Sequence, residues 1–358
     1  MKSMEPITTK LWVVDKKNPD PYIIGQAADI IRRGGLVAFP TETVYGLGAN
    51  GLNGAAVAGI YRAKGRPSDN PLILHVADKR MAEGICPQLS ETAKKLMALF
   101  WPGPLTLVVP KKAGIPEEVT GGLNTVAIRM PDHPVALALI RAAGVPVAAP
   151  SANRSGRPSP TTAAHVQQDL QGRIDAILDA GPAGLGLEST VLDLTVETPV
   201  ILRPGGITFE QLTEALGKVL MDPSVLGEKL PENQSPRSPG MKYAHYAPAA
   251  KVVLFEGEPK SVVQCLGVRT GELLAGGERV GILATEENQG RYPKGSIVLT
   301  MGPRENPSEA AAVLFSLLRQ FDEHQVDVIL AEGLELGGIG LAVMNRLRRA
   351  AAEVVKCE

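Results

Sequence analysis

Apolar and polar positions alternate along the chain in the way typical of short strands connected by amphipathic helices. Residues 22–33 carry apolar side chains at helical spacing, and Gly34 and Gly35 end the predicted helix. The same spacing predicts further helices over residues 53–63, 90–100, 134–143, from 161 onward, and over 208–217. Short apolar runs predict strands over residues 36–39, 71–76, 105–109, 125–130, 145–149, 175–179, 189–194 and 200–203.

This pattern is lost between residues 218 and 250, where prolines are scattered among polar residues. Because connections inside a domain are usually short, a stretch of this length predicts a Pro-rich linker between two domains. Its later part contains Tyr243 and His245, which a bare spacer does not need.

Beyond the linker the alternation is simpler and predicts a small parallel α/β layer. Strands are predicted over residues 252–255, 280–283, 296–300 and 327–330, and helices near 260–275, 307–321 and 341–355. Asn306 and Glu309 fit a capping box at the start of the second of these helices, as Thr208 and Gln211 do for the helix before the linker.

Composition narrows the functional classes. The chain has 358 residues, which suits two domains, and its net charge is −1. A nucleic-acid-binding protein usually carries a basic excess, so any basic site here must be local. The three cysteines form no CxxC pair, which argues against a disulfide framework or a zinc site. With no signal peptide and no apolar run approaching ~18 residues, we expect a cytoplasmic protein without membrane contact.

Two polar loops are the first candidates for a binding site. Lys64 and Arg66 flank Gly65 just past a predicted helix, and together they could hold a polyphosphate. The alternative is two solvated cations at a helix C-terminus, where the helix dipole favours them. Ser151 and Asn153 follow an apolar strand, where α/β sheets tend to bind ligands. The alternative there is a polar turn that satisfies its own backbone.

A third polar segment, residues 41–43, also leaves a buried strand and could hydrogen-bond a small polar ligand or form a simple turn. Arg129 and Arg203 end two predicted strands, where each could hold a carboxylate or be solvated. His75 ends another strand, whereas His133 is expected at the surface. The chain contains no P-loop, dinucleotide-binding or HExxH motif.

Taken in order, the segments PTETVYGLGAN, KGRPSDNPL, TVAIRMPDHP, APSANRSGRPSP, LESTVLDL and ILRPGG resemble the YrdC-type threonylcarbamoyl-AMP synthases. The strings SPGMKYAHYAP and LAVMNRLRRAA resemble the extension of the long members of that family. The resemblance implies a YrdC-like twisted mixed sheet with helices over residues 11–217. It also implies a linker that acts as a lid over 218–250 and a smaller C-terminal Rossmann-like α/β domain over 251–358.

The resemblance further implies a nucleotidyltransferase that converts ATP, L-threonine and bicarbonate or CO2 into L-threonylcarbamoyladenylate and pyrophosphate. Mg²⁺ would accompany the ATP, since no protein metal motif is evident. The product would supply the tRNA threonylcarbamoyl-transferase machinery that modifies an adenosine beside the anticodon, and the chain itself could contact tRNA. Two alternatives are a double-stranded RNA- or tRNA-binding module without catalysis and a carbamoyl-adenylate enzyme of hydrogenase maturation. The second lacks support because its zinc-finger cysteine pairs are missing here.

Carried over residue by residue, the resemblance gives the catalytic role to Lys64 and Arg66. The residues that it implies for ATP binding are Lys64, Arg66, Asn70, Thr125, Ser151, Asn153, Ser159, Arg203, Tyr243 and His245. The residues that it implies for threonine binding are Thr43, His75, Arg129, Ala149 and Ser189.

Overall fold

The structure is a computed structural model that describes residues 7–86, 88–226, 236–237 and 246–358. These residues form two compact units. The first contains most of the chain up to residue 226, and the second contains residues 246–358 together with the short stretches 156–158 and 185–187. The domain boundaries expected at residues 217 and 251 stay a prediction.

The first unit is built on an eleven-stranded mixed sheet, which confirms the predicted fold class. Its strands are β1 (Lys10–Val13), β2 (Val37–Phe39), β3 (Gly46–Asn50), β4 (Ile73–His75), β5 (Leu105–Pro110), β6 (Thr125–Arg129), β7 (Val147–Ala148), β8 (Ala176–Asp179), β9 (Thr190–Asp193), β10 (Val200–Arg203) and β11 (Leu220–Met221). They are arranged in the order β1-β8-β2-β3-β7-β4-β6-β5-β9-β10-β11.

The helices of this unit begin and end at recognisable residues. They are α1 (Pro21–Arg32), α2 (Gly54–Lys64), α3 (Lys79–Ile85), α4 (Glu91–Phe100), α5 (Glu117–Thr120), α6 (Pro134–Ala143), α7 (Ala163–Leu170) and α8 (Phe209–Leu216), followed by a 3-10 turn over Pro223–Leu226. The capping box of Thr208 and Gln211 is present as predicted. Gly65 ends α2 in the left-handed conformation, with φ 62°, which a residue with a side chain adopts less readily.

The centre of the sheet determines where the polar loops lie. β4 and β6 are parallel neighbours, and their register places His75 beside Arg129. β7 runs antiparallel to β4 on one side, and β5 runs antiparallel to β6 on the other. The buried core of this region includes Phe39 of β2 together with apolar residues of α1 and α6. The loops that enter and leave these central strands are therefore brought together at the two ends of one rigid scaffold.

The second unit is an all-parallel five-stranded sheet with helices, as predicted. Its strands are β12 (Lys251–Gly257), β13 (Val280–Ala284), β14 (Ile297–Thr300), β15 (Val328–Glu332) and β16 (Glu353–Cys357), and its helices are α9 (Pro259–Ala275), α10 (Pro307–Glu323) and α11 (Gly340–Ala350), with a 3-10 turn over Glu286–Asn288. The strand order is β14-β13-β15-β12-β16.

Two details of the second unit differ from the prediction. The helix expected to continue to residue 355 ends at Ala350, and residues 353–357 form β16, whose backbone pairs in parallel with β12. The capping box expected at the start of α10 is absent, because the Asn306 side chain donates to Glu309 Oε1 at 2.7 Å rather than capping the backbone.

A buried carboxylate connects several loops at the carboxyl ends of the parallel strands. Glu332 is fully buried and accepts hydrogen bonds from Thr285, Asn288 and Tyr292 at 2.9, 2.9 and 2.5 Å. It also pairs with Arg304 at 3.1 Å. Since every oxygen is satisfied, we assign this network to the stability of the second unit rather than to ligand binding. None of the helices in the described ranges is both long and apolar enough to cross a membrane.

Gly205 provides a test of how tightly the first unit is packed near the ends of its strands. A Cβ atom added there would lie 2.3 Å from the Thr190 backbone nitrogen and 2.4 Å from the Glu188 carbonyl oxygen. We expect Gly205→Ala to lower the free energy of unfolding by at least about 1–3 kcal/mol, because backbone atoms must move to accommodate the methyl group. The measurement is denaturant unfolding of the intact chain.

The matched control for that variant is Gly84→Ala in α3, where an added Cβ has no heavy atom within 4 Å. We expect it to be neutral or stabilising by up to about 1 kcal/mol. Equal stability of the two variants would contradict the close packing at Gly205.

Candidate active site

A buried lysine joins the two loops that were predicted to bind a nucleotide. Lys64 is the last residue of α2 and is only 3% exposed. Its Nζ donates to the carbonyl oxygens of Ser151 and Asn153 at 2.5 and 2.6 Å, and its distance to Asn153 Oδ1 is 3.3 Å. The basic loop and the serine–asparagine loop are therefore one structural unit.

The serine–asparagine loop is also held by the strands beneath it. The Ser151 hydroxyl donates to Asn153 Oδ1 at 2.6 Å, and the Ala152 amide donates to the Tyr45 carbonyl at 2.8 Å. A β-bridge pairs Ser151 with Gly46 at the start of β3. These contacts fix the backbone of the loop and leave its polar atoms close to Lys64.

Arg66 and Asn70 lie on the segment that leads from α2 into β4. The Arg66 guanidinium donates to the carbonyl oxygens of Asn70 and Pro71, each at 3.2 Å. The Asn70 side chain is fully buried, yet both its amide nitrogen and its amide oxygen are without a hydrogen bond to any described residue. Because an unsatisfied buried amide costs free energy, this side chain is suited to receive a ligand.

The register of β4 and β6 separates the predicted site residues into two groups. Thr125 begins β6 and Asn70 lies just before β4, so both are at the amino ends of this parallel pair. His75 and Arg129 are at the carboxyl ends. Four residues of strand span about 13 Å, so the two groups lie at opposite ends of these two strands.

Ala149 lies between these ends, and its amide donates to the Ile73 carbonyl at 2.9 Å. Because β7 runs antiparallel to β4, the chain continues from Ala149 toward the amino end of β4, where Ser151 lies. We call the group with Asn70, Thr125 and Ser151 the amino-end cluster. The group with His75 and Arg129 is the carboxyl-end cluster.

Arg129 is the centre of the carboxyl-end cluster. Its Nε donates to the Gly103 carbonyl at 3.2 Å, and its Nη1 donates to the Thr43 hydroxyl at 3.0 Å. Thr43 in turn shares a hydrogen bond of 2.7 Å with the Thr41 hydroxyl. The Arg129 Nη2 atom also lies 2.5 Å from the carboxylate of Glu42.

Two histidines near this cluster are held in the neutral form. Burial, and then the nearby charge of Arg129, lower the pKa of His75 to about 3. Burial, and then the charge of Lys16, lower the pKa of His133 to about 4. His133 had been expected at the surface, and that expectation was wrong: it is 2% exposed, at the start of α6.

Ser189 and Arg203 form a second contact set at the same end of the sheet. The Ser189 hydroxyl is 2.7 Å from the Thr106 hydroxyl, and Arg203 donates to the carbonyl and the hydroxyl of Ser189 at 3.0 and 3.2 Å. Ser159, which lies fully buried, bonds through its hydroxyl to the carboxylate of Glu188. Arg203 was assigned to the nucleotide by resemblance, and the structure brings it to a residue assigned to threonine.

Two of the predicted site residues, Tyr243 and His245, lie outside the described residues. The residues that sequence reasoning missed are Thr106 and Glu188, which contact Ser189 and Ser159 respectively. Glu42 belongs to the polar segment 41–43 that was predicted as a candidate ligand contact, and it pairs with Arg129. No group of three or more His, Cys, Asp or Glu side chains in the described ranges is arranged to hold a metal ion.

Comparison with protein families divides the chain in two. Residues 29–205 match the family described as telomere recombination, of Sua5, YciO and YrdC proteins. Residues 207–352 match the family described as the C-terminal domain of threonylcarbamoyl-AMP synthase.

Relatives of known name match nearly the whole chain. The threonylcarbamoyl-AMP synthase of Bacillus subtilis is 52% identical over 96% of this chain and 98% of its own length. That of Pyrococcus abyssi is 48% identical over 90% of this chain and 92% of its own. The crystal structure of P. abyssi Sua5 complexed with L-threonine superposes with a TM-score of 0.92 at 45% identity, covering 98% of this chain and all of that one. The chain therefore belongs to the two-domain, Sua5-type threonylcarbamoyl-AMP synthases, which are nucleotidyltransferases.

Proposed function

We propose that the first unit joins L-threonine, bicarbonate or CO2 and ATP into L-threonylcarbamoyladenylate, with release of pyrophosphate, for the modification of tRNA beside the anticodon. The observation that carries this proposal is the division of the site by β4 and β6. Cations and an unsatisfied amide lie at the amino ends, and an arginine with hydroxyl groups lies at the carboxyl ends. Such a site suits a polyphosphate nucleotide at one end and a small amino acid at the other.

The proposed reaction begins at the carboxyl-end cluster, where the threonine amine and bicarbonate form a carbamate and water. A carbamate oxygen then attacks the α-phosphorus of ATP, and the bond to the departing pyrophosphate breaks. Negative charge increases on the leaving phosphates during this step. Arg66 and the buried ammonium of Lys64 lie beside the loops of the amino-end cluster and would stabilise that charge without rearranging. Magnesium would enter with ATP as part of the substrate complex.

The hydrogen bonds of the Lys64 ammonium indicate how this residue would contribute to the reaction. Its ammonium bonds to the loop of Ser151 and Asn153, so we propose that it shapes this loop and supplies a fixed positive charge. Arg66 is the more exposed of the two cations and extends from the left-handed turn at Gly65. We propose that Arg66 is the one that contacts the phosphates directly, since its planar group suits bidentate bonds.

The direct test of the proposed function is product formation by the intact chain. With ATP, L-threonine and bicarbonate present, we expect pyrophosphate release and a product with the mass of threonylcarbamoyladenylate. Leaving out either threonine or bicarbonate should abolish both signals. Pyrophosphate release that is indifferent to threonine would contradict the proposal. Tight binding of double-stranded RNA without product would favour the alternative of an RNA-binding module.

Replacement of Lys64 tests the role of the buried ammonium. We expect Lys64→Met to lower the rate of adenylate formation by about 10²–10³-fold, because the loop loses its anchor and the site loses a fixed charge. The measurement is steady-state pyrophosphate release at saturating threonine.

The matched control is Lys95→Met. Lys95 also donates to a backbone carbonyl, that of Ala215, but it lies at the exposed surface of α4. This variant should retain the rate of the unaltered chain. A similar rate for Lys64→Met would remove Lys64 from the mechanism.

Asn70 allows binding to be separated from stability. Because the Asn70 amide is buried and unsatisfied, Asn70→Ala should change the free energy of unfolding by less than about 1 kcal/mol. The same change should weaken ATP binding by about 5–10-fold, since hydrogen bonds to the nucleotide are lost. Denaturant unfolding and calorimetric titration with ATP measure the two effects. Large destabilisation with unaltered ATP affinity would give Asn70 a structural role instead.

A further inference from the structure

The arginine of the carboxyl-end cluster is paired with a carboxylate that has no assigned role. Arg129 Nη2 lies 2.5 Å from Glu42 Oε1, and the two side chains are 4% and 18% exposed. An ion pair this far from solvent is costly to form unless its remaining hydrogen-bonding groups are also satisfied. Here they are not.

The Nη2 group of Arg129 and the Glu42 carboxylate keep hydrogen-bonding capacity beyond their contact with each other. Both carboxylate oxygens of Glu42 and the Nη2 atom of Arg129 are buried without an aligned hydrogen bond to any residue in the described ranges. The other nitrogens of Arg129 are engaged, Nε by Gly103 and Nη1 by Thr43. The guanidinium is thus fixed in place, Nη2 and Oε1 face each other as an ion pair, and Glu42 Oε2 has no hydrogen bond to a described residue.

An amino-acid zwitterion has the complementary pair of charges on a single carbon atom. Its carboxylate suits the Nη2 side of a fixed guanidinium, and its ammonium suits a carboxylate. We propose that Glu42 recognises the α-ammonium group of the amino-acid substrate while Arg129 holds its carboxylate. The substrate then binds against the pair and supplies the hydrogen bonds that the pair lacks. This inference rests on the proposed function, because it presumes that an amino acid binds at this end of the site.

The other titratable groups near the pair cannot replace Glu42. The pKa of His133 is lowered to about 4, first by burial and then by Lys16, with Glu42 acting in the opposite direction. The pKa of His75 is lowered to about 3. Both imidazoles are therefore neutral at pH 7, and Lys16 carries the same charge as the ammonium group. Only the carboxylate of Glu42 offers this ammonium group an opposite charge among these neighbours.

Recognition of the ammonium group by Glu42 predicts a preference for L-threonine over a ligand without that group, which can be measured by binding alone. Calorimetric titration would compare L-threonine with 2,3-dihydroxybutanoate, in which a hydroxyl replaces the ammonium group. The unaltered chain should bind L-threonine more tightly. Glu42→Gln should weaken L-threonine binding by about 10–100-fold, the value of a charge-assisted bond, and should leave the affinity for dihydroxybutanoate unchanged or improved. A merely structural role for Glu42 would weaken both ligands equally.

The controls keep a folding defect apart from a binding defect. ATP affinity should be retained in Glu42→Gln, since the ion pair of Glu42 is with Arg129, at the carboxyl end of β6. Glu91→Gln is the matched surface variant, because Glu91 pairs with Lys94 on α4 and is 90% exposed. It should bind both ligands as the unaltered chain does.

If Glu42→Gln does not fold, the variant Glu42→Asp tests the role of Glu42 instead. Glu42→Asp keeps the charge on a shorter side chain, so it should lose less affinity for L-threonine and keep the preference over dihydroxybutanoate. Loss of that preference in Glu42→Asp would overturn the inference, as would unaltered L-threonine affinity in Glu42→Gln. If the unaltered chain itself fails to bind L-threonine, the proposed function fails along with it.

Discussion

The hydrogen bonds of the Lys64 ammonium are the interaction on which the amino-end cluster depends. An unpaired ammonium group buried in a protein costs several kcal/mol, so a lysine that is 3% exposed needs oxygen atoms around it. The loop of Ser151 and Asn153 supplies them, and in doing so adopts one fixed shape. A planar guanidinium would not meet oxygens that converge on one nitrogen, which explains why this position carries lysine while Arg66 serves nearby.

The second constraint is the parallel pairing of β4 and β6. Parallel neighbours place their carboxyl ends at the same edge, so His75 and Arg129 must lie side by side. The same register keeps Asn70 and Thr125 together at the other edge. The antiparallel strand β7 then returns the chain from the carboxyl-end cluster toward Lys64. Strand length therefore sets the distance between Thr125 and Arg129, and the loops place the other residues around these two ends.

Local sequence patterns predicted many of the helices and strands of this fold, but not which strands pair with one another. Helix α6 has the bounds that its apolar spacing predicted, and so does β10, because both are bounded by clear turn residues. Strand β3 was missed, since its residues 46–50 include two glycines and have low strand propensity. Residues 353–355 of β16 were predicted as the end of a helix, because a helical pattern continues past Ala350. The backbone pairing with β12 overrides that pattern. Lys64 and Ser151 were each predicted at the site, but their contact spans 87 positions and no local pattern encodes it.

The ligands proposed for the two ends of the site differ in net charge, and the charges of the surrounding residues differ accordingly. ATP carries several negative charges, so the end proposed to bind it needs a surplus of positive charge, which Lys64 and Arg66 provide. An amino acid is neutral overall, so an unmatched arginine at its end would favour other anions, phosphate among them. The Glu42 carboxylate cancels the charge of Arg129 and leaves a dipole that matches a zwitterion. A balanced pair at one end and a positive surplus at the other would therefore orient both substrates before any bond forms, which is how fixed charges promote a reaction between two bound molecules.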